Sequence, residues 1–132
     1  MRIGFIGLGN VGGKLANNLL NNNFQITVLD KKSKLMNEFK LKGAKIAKSV
    51  KDIVINSDIL ITCLPSPEVC AEVLESEGGI IDSIQKKQIW IEMSTTDDDQ
   101  LKKHASLIQQ KDAIALEAPV SGGCHRAATG NI

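Results

Sequence analysis

Short apolar runs alternate along this chain with segments whose apolar residues recur every three or four positions. The first run, Ile3 to Ile6, reads as a buried strand. Val11, Leu15, Leu19 and Leu20 follow at helical spacing, with Asn17, Asn18, Asn21 and Asn22 filling the polar face. Gln25 to Asp30 is a second strand. Ser33 is placed to cap a helix that carries Leu35, Met36, Phe39 and Leu41. Gly43 stops that helix and a short third strand follows. Ser49 with Asp52 three residues later resembles a capping box for a brief helix through Asn56. The run from Asp58 to Pro65 is continuously apolar at its centre, as expected of a strand covered on both faces. Pro67 opens a helix with Val69, Val73 and Leu74. Gln88 to Met93 is a further strand. Thr96 and the acids Asp97, Asp98 and Asp99 stand at a helix N-terminus, where the dipole favours negative charge; Leu101, Ala105 and Ile108 form that helix's buried stripe. Ala113 to Val120 closes the series.

Six strands alternating with helices predict a mainly parallel, doubly wound α/β sheet of the Rossmann type, with right-handed crossovers. Ligands of such sheets sit beyond the carboxyl ends of the strands. The residues that carry chemistry should therefore follow the strands directly.

Composition narrows the class. The chain has 132 residues, about one domain's worth at a typical ~150, and is read as a single dinucleotide-binding domain over 1–132. With 42% hydrophobic and 23% charged residues it is an ordinary globular sequence. Its only aromatic residues are Phe5, Phe24, Phe39 and Trp90, so aliphatic side chains must build the core. A formal net charge of +1 argues against a nucleic-acid partner bound by counterion release. No apolar run reaches the ~18 residues of a membrane span. The N-terminus reads straight into a strand without a secretory leader, and Cys63, Cys70 and Cys124 are odd in number and lack metal-ligand spacing. Cys63, at the end of an apolar run, and Cys70, in a helix, read as core thiols. A reducing compartment is expected: cytoplasm, or an organelle matrix if a leader was removed.

The sharpest motif is Gly7-Leu8-Gly9-Asn10-Val11-Gly12, a G-x-G-x-x-G between a strand and an amphipathic helix. Gly7 permits the tight turn, Gly9 lets backbone approach a pyrophosphate, and Gly12 lets helix and strand pack closely. Free N–H groups and the helix dipole then face the phosphates. Glycines alone also make plain turns, but here strand, helix and a downstream acid agree. That acid, Asp30, ends the second strand and can accept from both ribose hydroxyls while repelling a 2′-phosphate. NAD is therefore the expected cofactor. NADP is the alternative, because Lys31, Lys32 and Lys34 follow at once and Lys40, Lys42, Lys45, Lys48 and Lys51 continue the basic stretch. Those lysines are read as solvating an edge helix and strand.

GFIGLGNVGGKLANNL, CLPSPEV, EMSTT and EAPVSGG occur in this order and together resemble the β-hydroxyacid dehydrogenases, with 6-phosphogluconate dehydrogenase more distant. The resemblance runs the length of the chain. It implies hydride transfer between a nicotinamide cofactor and a small 3-hydroxy acid such as 3-hydroxyisobutyrate. It puts Gly7 to Gly12 at the dinucleotide, Asp30 at the ribose, and Leu64, Pro65 and Val69 along the cofactor. Ser94 and Thr95 would lie near the nicotinamide ribose. Ser121, Gly122 and Gly123 match the substrate-binding Ser-Gly-Gly, although this stretch by itself could be a turn after Pro119.

Departures from the family pattern are Val11 for the commoner Met, Asp98 for Pro, and His125-Arg126 for Gly-Ala. The last pair could add a cation or an imidazole beside the substrate, or simply face water at a helix start, which is the expectation taken. His104 is read as a partly buried surface residue. The resemblance also implies an all-helical second domain beyond Ile132, bringing the catalytic lysine and the contacts that make family members homo-oligomers. No lysine here matches that motif, so this chain alone is expected to bind nucleotide without turning over acid. The other readings are a non-catalytic dinucleotide-binding module and an imine-reducing relative.

Overall fold

The computed structural model describes residues 1–132. Its elements are β1 (Ile3–Ile6), α1 (Gly12–Asn21), β2 (Ile26–Leu29), α2 (Ser33–Leu41), β3 (Lys45–Ile46), α3 (Val50–Ile55), β4 (Ile59–Thr62), α4 (Pro67–Glu75), α5 (Ile80–Ser83), β5 (Ile89–Glu92), α6 (Asp98–Gln109), β6 (Ile114–Glu117) and α7 (Gly123–Thr129). All six strands form one sheet in the order β3-β2-β1-β4-β5-β6, and every pairing is parallel. The order reverses between β2-β1 and β1-β4. The crevice outside the strand ends at that switch point is where an open α/β sheet holds a ligand.

Alternation along the strands feeds two cores. Ile3 and Phe5 of β1, Ile26 and Val28 of β2 and Ile61 of β4 point to one face, where Leu15, Ala16, Phe39 and Ala127 meet them. Ile6, Leu60 and Trp90 point to the other, against Ile53, Cys70, Leu74, Leu101 and Ile108. Trp90, Phe5 and Leu60 are fully buried. Each such side chain contributes roughly 1.5–3 kcal/mol of transfer free energy. Gly4 is small for a packing reason: a Cβ there would strike Ser57 and Ile53, so α3 lies close over β1. Ser57 and Gln88 complete this corner. The Gln88 amide donates to the carbonyls of Val54 (2.7 Å) and Ser57 (2.5 Å) and accepts from Gln85 N–H (2.7 Å). It braces the end of α3, adding to the Ser57 amide that already bonds the Val54 carbonyl and supplying the donor for the Ser57 carbonyl beyond the helix.

Several local expectations hold. Ser49 caps α3 by accepting from Asp52 N–H at 3.1 Å, and Pro67 stands in the first turn of α4, where Ser66, unforeseen, is the cap. Asp97 caps α6. Others are corrected. Ser33 does not cap α2; it is the first helical residue, and Lys32 takes the N-cap without a side-chain bond. His104 is no surface residue: it is 1% exposed, and its Nε2 lies 2.7 Å from Glu75 Oε1. The partner carboxylate on α4 makes that burial tolerable, which the stripe of α6 alone could not show. Asn18 is not on a solvent face. Its amide reaches the Ala127 carbonyl at 2.6 Å and so clasps α7 to α1. Helix α5 had no signal of its own. β6 is covered on one face only, leaving Ile114 and Leu116 each 48% exposed. No helix is long and apolar enough to cross a membrane.

Candidate functional site

The β1-α1 junction is built by its glycines. Gly7 stands at φ +98°, open to glycine but strained for other residues. Its N–H donates to the Leu29 carbonyl at 3.0 Å, which holds the turn to β2. A Cβ on Gly12 would collide with the Gly7 carbonyl oxygen and come within 3.2 Å of the Cys63 Cβ. Only glycine lets α1 start this close to β1 and β4. A Cβ on Gly9 would meet nothing within 4 Å; it would project into open space. The amides of Gly9, Asn10, Val11 and Gly12 donate to no acceptor in the chain. No side chain caps α1 and no acid stands in its first turn. A run of unpaired donors at a helix N-terminus, with room above it, is a ready anion site.

Above the junction lies a cleft of about 700 Å³. Of the residues expected at a cofactor, Gly7, Gly9, Asn10, Val11, Gly12, Asp30, Leu64, Pro65 and Val69 line it. Leu8 does not: its side chain is buried in the core below the loop. Leu29, Leu35, Val50, Val69 and Val73 give one end of the cleft apolar walls, the character a flat base requires.

Asp30, expected at a ribose, has a structural part in the loop. Its Oδ2 accepts from Leu8 N–H at 2.7 Å and its Oδ1 from Lys32 N–H at 2.8 Å. The carboxylate therefore ties the glycine loop to the end of β2, and each oxygen keeps a lone pair for a hydroxyl. The lysines beside it are not merely an edge coat. Lys31 and Lys32 both line the cleft, and Lys31 Nζ pairs at 2.8 Å with Glu72 Oε2 of α4. Motif reading missed Glu72, yet it shares a helical face with Val69 and Val73, at spacings of three and four from the first.

The far wall rests on a buried polar chain. Ser94 Oγ accepts from Leu64 N–H at 2.7 Å, and Ser94 N–H donates to Glu92 Oε1 at 2.8 Å. Trp90 Nε1–H donates to Thr62 Oγ1 at 2.9 Å. Glu92 is 1% exposed, and desolvation raises its carboxyl above the ordinary range. Ser94 is thus buried under Leu64 and sets the course of Leu64-Pro65 instead of facing the cleft; Thr95 beyond it is exposed and does not line the cleft either. Cys63 lines the cleft half-buried, and burial pushes its thiol up to about 11. Cys70 is a core thiol, raised by the same cause.

Ser121, Gly122 and Gly123 are exposed and lie outside this cleft, at the start of α7. Gly122 and Gly123 have φ of +94° and +66°. His125 and Arg126 face solvent, as expected of a helix start. No cluster of three or more potential metal ligands forms.

Known proteins carry the same domain. The sequence model of the family described as the NAD binding domain of 6-phosphogluconate dehydrogenase matches residues 2–132. The mitochondrial 3-hydroxyisobutyrate dehydrogenase of Rattus norvegicus is 35% identical over 130 residues, 98% of this chain and 39% of that protein. The cytokine-like nuclear factor N-PAC of Pongo abelii is 31% identical over 121 residues, 92% of this chain and 22% of that protein. Among solved structures, the 3-hydroxyisobutyrate dehydrogenase of Mycobacterium tuberculosis superposes with a TM-score of 0.85 at 26% identity, covering 97% of this chain and 43% of that one. The chain thus spans well under half the length of the relatives it matches.

Proposed function

The chain belongs to the family of NAD-binding domains typified by that of 6-phosphogluconate dehydrogenase, and from that premise we propose that its cleft holds the dinucleotide of an oxidoreductase acting on a small 3-hydroxy acid. The observation that carries the cofactor reading is the run of acceptor-free amides from Gly9 to Gly12, open to the cleft and adjacent to Asp30. The residues fit the group. The amides would receive the pyrophosphate, Asp30 the adenosine ribose, and the slot between Leu35, Val50 and Val73 the adenine.

The nicotinamide, when bound, carries the hydride. The chain's own part is to orient it and keep water out. Leu64 and Pro65 line the path, and Ser94 works through them as a positioning residue by fixing the Leu64 amide. Ser121 to Gly123 would offer a hydroxyl and free amides to a substrate carboxylate or hydroxyl. The only lysines lining the cleft are Lys31 and Lys32, at the Asp30 end. The proton partner of the reaction is therefore assigned to the further length of the relatives, which are more than twice as long. Losing such a group typically costs ~10²–10⁴ in rate. The reducing compartment is the cytosol or an organelle matrix.

Calorimetric titration with NADH and NADPH tests the cofactor reading: saturable 1:1 binding is expected, and no association at millimolar nucleotide overturns it. A steady-state rate by this chain alone with 3-hydroxyisobutyrate or glycerate overturns the assignment of the proton partner.

A further inference from the structure

Asp30 explains why a ribose with free hydroxyls suits this cleft, but not what becomes of the two lysines that follow it. The charged residues lining the cleft are Asp30, Lys31, Lys32 and Glu72. Their formal charges cancel, so the side chains by themselves offer a phosphate at this end of the cleft no net attraction. Glu72 is the member of this group that comes from the opposite wall. It projects from α4, 41 positions away in sequence, and holds Lys31 Nζ at 2.8 Å. The pair spans the cleft from the end of β2 to α4, beside the apolar slot of Leu35, Val69 and Val73. Lys31 is the residue directly after Asp30, at the edge of the ribose position. An ammonium there is what a 2′-phosphate needs for charge-assisted hydrogen bonds.

We propose that Glu72 sequesters Lys31 and so makes the cleft discriminate against a 2′-phosphorylated dinucleotide, adding to the repulsion from Asp30. This rests on the dinucleotide reading of the cleft and deepens it. Capturing a 2′-phosphate with Lys31 means breaking the pair and bringing the phosphate toward a second carboxylate. Both partners are well exposed, with side-chain exposures of 70% and 57%. The lock is therefore modest and sensitive to salt. Pairs of this kind are worth at most about 1 kcal/mol, which corresponds to roughly fivefold in affinity. Asp30 decides the preference and Glu72 sharpens it.

The test is a double-mutant cycle of Glu72→Gln and Lys31→Met, with NADH and NADPH titrated calorimetrically into each form of the protein. Salt is varied between about 0.02 and 0.5 M, where the screening length falls from roughly 20 to 4 Å. Glu72→Gln should improve NADPH affinity relative to NADH by about three- to fivefold at low salt, and the gain should shrink at high salt. Adding Lys31→Met should erase it. Equal changes for both nucleotides with Glu72→Gln, or a gain that survives Lys31→Met, overturn the proposal. If the unmodified protein binds NADH and the ratio does not respond, this inference alone falls. If neither nucleotide binds, the reading of the cleft falls and takes the inference with it.

Discussion

Asp30→Ala separates two roles that a motif cannot. A carboxylate that only receives a ribose is silent in the absence of nucleotide. In this structure the same carboxylate accepts the Leu8 and Lys32 amides at 2.7 and 2.8 Å. Leu8 is 2% exposed, so its amide sits in a loop pinned to the core and partly out of reach of water. Removing a charged acceptor from such a donor costs about 1.5–3 kcal/mol. The Lys32 amide lies at the surface and recovers a water, adding a few tenths at most. About 2 kcal/mol is thus expected. For a domain of this size each kcal/mol lowers the melting temperature by roughly 3–5 °C, giving about 6–10 °C. Asp30→Asn keeps one acceptor and should lose about half as much. The assay is thermal unfolding of the nucleotide-free protein by circular dichroism, paired with NADH titration. An Asp30→Ala protein that melts within about 1 °C of the parent while losing NADH affinity would refute the reasoning, since the loop would then not depend on the carboxylate.

Other outcomes follow from single contacts. Gln88→Ala strands the Ser57 carbonyl and the Gln85 amide and leaves the Val54 carbonyl to the Ser57 amide alone, and should cost roughly 2–4 kcal/mol of unfolding free energy, read by urea denaturation. Gly12→Ala drives a methyl into the Gly7 carbonyl; it should destabilise by about 1–3 kcal/mol and abolish NADH binding, because the loop itself must shift. Glu92 has a carboxyl raised by burial, so its protonated form favours the fold. That stability is present below the ordinary glutamate range and is lost as pH rises through the raised value. Glu92→Gln should therefore gain in melting temperature relative to the parent as pH goes from acid to neutral, and a constant difference would contradict it. Cys63, with its thiol pushed up from 9.0 to about 11, should hold about a hundredfold less thiolate at neutral pH than an unperturbed thiol. Slow alkylation by iodoacetamide, followed by peptide mass mapping, checks this.

The order of apolar runs and helical stripes was sufficient for the parallel sheet. Strands buried on both faces have to be apolar throughout, and parallel neighbours have to be joined by helices, so the architecture is written in local pattern. The glycine loop was legible for a similar reason. Gly7 and Gly12 answer to backbone geometry within one β-α junction, a few residues apart in sequence. Ser49 could be read as a cap because capping is local too. What pattern could not reach is every role set by a partner far along the chain. His104 is buried because Glu75 waits on another helix, and Ser94 turns inward because the Leu64 amide lies over it. Asp30 spends its carboxylate on the loop 22 residues before it, and Lys31, still exposed, pairs across the cleft with Glu72, 41 residues on. Ile114 and Leu116 carry the apolar signature of a covered strand, but packing leaves one face of β6 bare. Side-chain periodicity records which face a residue takes, whereas the partner that completes a charge or a hydrogen bond exists only once the chain has folded.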